Sequence, residues 1–211
     1  MRRFFYRGLH MADSAKEQRM KIAELVESDS HVLGEMIKSL QGPSRRTRQN
    51  AASVFSIVAS RKPELLIGHI DAFIDALNRP ESQTRWECLD VLTALISLDS
   101  CACEKAIPGA ESALFDEGAG SLHLSALRFL CAIGATTQAR SVQVWPLIDE
   151  AIQCYHGDFE YSEMLSAVTG FAEGELDQTV KDSLKDRMAF DATSGKGALK
   201  KRSQQIVDIL S

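Results

Sequence analysis

The chain is 211 residues long, 45% apolar and 25% charged, with 24 basic against 29 acidic side chains, a balance that belongs to globular proteins and excludes the collagen-like and disordered classes. No window approaches the 18 or so uninterrupted apolar residues of a membrane span, so no membrane partner is expected. A chain of this size buries roughly 70% of its unfolded surface without a disulfide or metal staple, so Cys88, Cys101, Cys103, Cys131 and Cys154 are read as free thiols of a reducing compartment, the cytoplasm. Charge is segregated: residues 1–62 carry a net +6, 63–160 a net −10 and 161–211 a net −1. An acidic middle argues against a uniform nucleic-acid sleeve.

In chain order, residues 1–12 read as a flexible tail. Three arginines and the cluster Phe4, Phe5, Tyr6 are too short an apolar run for a signal-peptide core, and Met11 is an alternative start. Residues 13–211 read as one domain. Ser14 and Glu17 fit a capping box opening the first helix. Helix starts and stops predict helices over 14–27, 30–41, 44–60, 63–78, 81–98, 104–117, 120–134, 141–156, 159–173, 176–190 and 197–210. No alternating strand appears, and joints such as Gln41-Gly42-Pro43 and His156-Gly157-Asp158 are short, making successive helices antiparallel neighbours.

A period of about 38 residues runs through this series. Thr47-Arg48-Gln49-Asn50-Ala51-Ala52 precedes Val54, Ile57 and Val58; Thr84-Arg85-Trp86-Glu87-Cys88-Leu89 precedes Val91, Leu92 and Leu95; Leu122-His123-Leu124-Ser125-Ala126-Leu127 precedes Phe129, Leu130 and Ile133. Pro108 and Pro146 share the spacing, and each is expected to start a helix, where proline is tolerated. The period predicts that Ala51, Leu89 and Leu127 are equivalent buried positions.

Chemical signatures are few. Thr193-Ser194-Gly195-Lys196-Gly197 lacks the first glycine and the hydroxyl of a phosphate loop, and no hydrolase elbow or zinc-protease helix is present. Cys101, Cys103, Cys154 and His156 lack structural zinc spacing. No metal, no cofactor and no catalytic residue are expected. Asp71 and Asp75 share a solvated stripe with no His or Lys to complement them. Arg45, Arg46 and Arg48 crowd a helix start, where the macrodipole disfavours cations. They read as surface charge or as a hold for an acidic partner, so Arg45 and Arg48 enter the candidate partner-binding set.

Trp86 is the most informative residue. At 100° per residue, Ser82, Trp86, Asp90, Thr93 and Ser97 occupy one arc of about 80°, opposite Cys88, Val91, Leu92 and Leu95. The repeat shift sets Arg128 level with Asp90. Trp86, Asp90 and Arg128 are therefore either a partner-binding surface or a tryptophan filling a seam beside an inter-repeat salt bridge.

Ala76-Leu77-Asn78-Arg79-Pro80-Glu81-Ser82-Gln83-Thr84-Arg85, followed by Leu89, Leu92 and Leu95, resembles the HEAT-repeat (armadillo-like) proteins: a helix, a turn with proline, then an arginine-bearing helix. His123 departs from that arginine. The resemblance, over roughly residues 40–175, implies an all-α, right-handed superhelical stack of about five antiparallel helix pairs plus a last helix, whose concave face binds a protein partner as a non-catalytic scaffold. Trp86, Asp90 and Arg128 also resemble the HEAT-like alkylpurine DNA glycosylases, which implies as alternatives a DNA-contacting Trp86, an Asp90 stabilising a cationic sugar and an Arg128 on the phosphate side. Ala167 stands where a second tryptophan would be expected.

Overall fold

The structure, a computed structural model, describes residues 14–117 and 120–211; the expected tail at 1–12 and the alternative start Met11 lie outside the described residues. The helices are α1 (Ala15–Ser28), α2 (Ser30–Gln41), α3 (Arg45–Arg61), α4 (Ile70–Ala76), α5 (Ser82–Leu95), α6 (Ser100–Cys103), α7 (Ile107–Leu114), α8 (Gly120–Gly134), α9 (Gln138–Cys154), α10 (Tyr161–Ala172), α11 (Gln178–Ser194) and α12 (Gly197–Ile209), with 3₁₀ turns at Pro63–His69 and Glu104–Ala106. Among the described residues there is no strand. The Ser14–Glu17 capping box opens α1, Ser14 N–H donating to Glu17 Oε2 at 2.7 Å and Glu17 N–H to Ser14 Oγ at 3.3 Å.

Helices alternate between two layers. The front layer stacks α1, α3, α5, α8, α10 and α12 in that order; the back layer runs α2, α4, α6 with α7, α9, α11. Each front helix is followed by one or more back-layer elements that return the chain, so the front helices are parallel and their first turns share one edge of the stack. Between the layers lies a continuous core. Ala51, Leu89 and Leu127 are 0%, 0% and 1% exposed, and Val54, Leu92 and Leu130, one turn on, are fully buried. Each unit covers its neighbour's apolar face, the packing of a quasi-one-dimensional repeat protein.

Polar bonds repeat at the same spacing. Arg48 donates to Glu81 through two guanidinium nitrogens and to the Gly42 carbonyl at 2.8 Å. Arg85, 37 positions on, reaches Asp116 at 2.7 Å, and His123 at the next equivalent position meets the Asp116 carbonyl at 2.7 Å. The departure from arginine at 123 is thus accommodated by a backbone acceptor and by stacking on Tyr155, ring centroids 4.9 Å apart. In the back layer, Asp99 and Thr137 stand 38 apart and cap α6 and α9.

The cap at Thr137 corrects the expected start at 141. α9 begins at Gln138, and Pro146 lies inside it, whereas Pro108 does sit in the first turn of α7. Proline removes the bond to the carbonyl four residues back, here that of Val142; both Val142 and Pro146 are exposed residues of the helix. The predicted helix at 63–78 is a 3₁₀ turn followed by the short α4, and the one at 104–117 is likewise broken. Asp71 is not without a complement: Lys105 lies 3.5 Å away, both side chains well exposed.

Candidate functional site

The first turns of α3 and α5 diverge at the shared edge and leave an open cleft of about 460 Å³ lined by Arg45, Gln49, Pro80, Glu81, Ser82, Gln83 and Trp86. Trp86 is half-buried, one side packed on the core and the other walling the cleft. It is therefore both seam filler and exposed surface. Gln49 precedes Trp86 by one repeat, so the cleft lies between equivalent positions of adjacent units. Behind it, Gln83 Nε2 donates to Ser53 Oγ at 3.1 Å and Ser53 Oγ to Glu87 at 2.9 Å, tying α3 to α5.

The arginines at the start of α3 separate into two roles. Arg45 is exposed and lines the cleft, forming no ion pair among the described residues. Arg48 is 7% exposed and committed to Glu81, which corrects its inclusion among partner contacts: it is a clamp between units. That pairing holds the Glu81 carboxyl below the ordinary carboxylate range, with a further contribution from the Arg45 charge. Glu81 is the N-cap residue of α5 yet makes no capping bond with its side chain. The repeat register marks Arg48 and Arg85 as equivalent, 37 residues apart and each followed by the core run of its helix, but it does not name their partners.

Asp90 and Arg128 sit on adjacent front helices, but the expected mutual pair is not their main bond. Arg128 donates to Glu163 at 3.2 Å. Burial pushes the Asp90 carboxyl up, opposed by a hydrogen bond to Ser125 and by the Arg128 charge. Because the folded state binds this proton more readily than the unfolded chain, ionised Asp90 costs stability as pH rises out of the acid range. Asp90→Asn is expected to raise the melting temperature at pH 7, with the gain shrinking in acid, as thermal scans across pH would read. Asp90 does not line the cleft that Trp86 walls, whose one carboxylate is Glu81, so Asp90 and Trp86 are not gathered around one cavity. Ala167 is a half-buried residue of α10 packed on the core.

No group of three or more potential metal ligands occurs among the described residues. Cys88 and Cys131 are buried, and burial raises both thiols; Cys103 is pushed up to about 11 by the same cause. His156 pairs with Asp191 at 3.1 Å. The Thr193–Gly197 stretch is the joint between α11 and α12, where Gly195 N–H closes on the Asp191 carbonyl. No helix among the described residues is long and apolar enough to cross a membrane.

No family model matches the chain, and no curated protein does. Solved structures do. A designed armadillo repeat protein in complex with the peptide (KR)4 superposes with a TM-score of 0.72 at 12% identity, covering 93% of this chain and 92% of that one. A second designed armadillo repeat protein gives 0.71 at 14% identity over 92% of this chain and 87% of that one. The archaeal HEAT-like repeats protein from Thermococcus onnurineus NA1 gives 0.55 at 13% identity, covering 95% and 98%. The chain has the fold of the HEAT- and armadillo-like repeat proteins.

Proposed function

We propose that the chain is a non-catalytic scaffold that binds a segment of a protein partner along its front layer, with Trp86 as anchor. The observation that carries this reading is the open cleft in which Trp86 and Arg45 meet across two units. A tryptophan with one face on the core and one on an open cleft is a rigid, pre-paid contact surface, the kind of residue that dominates binding energy. The peptide complex of the designed armadillo repeat protein supports the reading, because the same architecture there carries a peptide. Asp90 and the Arg128–Glu163 pair lie farther along the same layer and set register more than affinity.

The test is affinity capture from native lysate at low and high salt with wild type and Trp86→Ala, followed by titration calorimetry with the captured partner. Trp86→Ala is expected to weaken binding by roughly 2 kcal/mol or more with helicity unchanged. Asp71→Ala removes only an exposed back-layer pair and is expected to leave binding as it was. A Trp86→Ala protein that binds normally places the interaction elsewhere.

A further inference from the structure

The last described helix, α12, turns a polar face away from its neighbours. A cleft of about 780 Å³ lies on that face, with Gly197, Lys201, Gln204 and Asp208 among its lining residues, and among the described residues all of the lining belongs to α12. At 100° per residue these four fall within one arc of about 60°, opposite Ser203 and Ile206, the buried residues of the helix. All four are exposed. The flanks of the arc are already committed: Arg202 donates to Ser166 of α10, and Lys200 Nζ donates to the Thr193 carbonyl at the end of α11 at 2.9 Å.

Solvent alone asks only that such a face be polar, whereas its charges are spaced to meet a second copy of themselves. Lys201 and Asp208 stand seven residues apart and do not pair with each other. Lys201 forms no ion pair among the described residues, and the Asp208 carboxylate accepts from the Gln204 amide at 2.8 Å. Midway between the two charges is Gln204. In a two-fold antiparallel contact centred there, a residue before the centre meets the residue equally far beyond it. Lys201 then stands level with Asp208 of the second copy, and Asp208 with Lys201 of the second copy, one pair at each end. The two Gln204 amides meet at the axis, where each can donate and accept. No like charges stand level in this register.

A head-to-tail contact with α1 lacks that match. Glu17 and Glu24 are exposed on α1 and are also seven residues apart. In either direction, a contact that pairs Lys201 with one of them sets Asp208 against the other. The charges therefore favour a closed pair over an open fibre.

We propose that the chain self-associates as a two-fold dimer through α12, held by two Lys201–Asp208 pairs around a Gln204–Gln204 contact. One helix face buries less than the roughly 800 Å² per partner of a standard interface, so the dimer is weak and forms between about 10 µM and 1 mM. Such a pair carries two Trp86 clefts, and a partner with two binding segments gains avidity from it without a new contact.

The test is sedimentation velocity of the whole chain across that concentration range, at low and high salt. Wild type is expected to shift from monomer to dimer, and less so at high salt. Lys201→Asp sets like charges level at both ends and is expected to weaken association tenfold or more. Lys201→Asp combined with Asp208→Lys is expected to restore it. Both positions are exposed, and circular dichroism checks that the fold is kept. A second readout uses a background with Cys101→Ser and Cys154→Ser, which removes the exposed thiols. There, under mild oxidation, Gln204→Cys is expected to crosslink to its own copy faster than Asp75→Cys, an exposed position on the back layer. A monomer at every concentration overturns the dimer and leaves the face as solvated surface. So do association indifferent to Lys201→Asp, failure of the charge exchange to restore it, crosslinking no faster than at position 75, and assemblies that grow past two chains.

Discussion

Arg48→Met is expected to destabilise the chain by about 3 kcal/mol, because removing one partner of a buried pair strands the other. Glu81 would keep its burial and lose both guanidinium donors, and the Gly42 carbonyl would lose its donor as well. The nearby Arg45 charge softens the loss, which places it at the lower end for such pairs. The dependence on pH has a defined sign. Glu81 is depressed in the folded state, so its contribution is present above the ordinary carboxylate range and fades as acid protonates it. The gap between Arg48→Met and wild type is therefore expected to narrow in acid, in denaturant titrations at neutral and low pH. The double variant Arg48→Met with Glu81→Leu should recover most of the loss, since two apolar groups replace a buried pair at little net cost. A single variant as stable as wild type would mean that the clamp contributes nothing between these units.

The layered stack was legible in the sequence because its cause is local and repeated: apolar positions recur with helical spacing inside each unit, and each unit recurs after about 38 residues. Ala51, Leu89 and Leu127 are buried for that reason. What the sequence concealed is what lies across a unit boundary. Arg48 and Arg45 are three residues apart on one helix start, and nothing local says that one turns in to Glu81 while the other faces a cleft. Pro146 misled because a proline marks a helix start only where the chain needs one; with Thr137 capping the helix nine residues earlier, it is an interior residue on a solvent-facing turn. Gly174 shows a further constraint that composition hides: a Cβ there would lie 2.6 Å from the Ala135 Cα and carbonyl oxygen, and the next residue's N–H bonds that same carbonyl at 2.8 Å.

Leu89→Asp is expected to unfold the middle of the stack. Leu89 is fully buried at the centre of α5, where α3, α4 and α8 all pack. An aspartate there loses the leucine's burial, roughly 2 kcal/mol, and strands a charge at a further cost of roughly 3–5 kcal/mol. Together these consume most of the 5–15 kcal/mol typical of a folded domain. Since a repeat stack is held mainly by nearest-neighbour interfaces, the damage should spread outward from α5. Hydrogen exchange should then show amides of α3, α5 and α8 losing protection first, while the α11–α12 pair, which packs closely at the far end, retains more. Acid should partly rescue the variant, because a buried aspartate holds its proton more tightly than an unfolded one and costs least when neutral. Ser97→Asp, an exposed change just beyond the same helix, should cost under about 0.5 kcal/mol and serves as the charge control. A Leu89→Asp protein with wild-type protection through α3, α5 and α8 would contradict the burial that the repeat register assigns to this position.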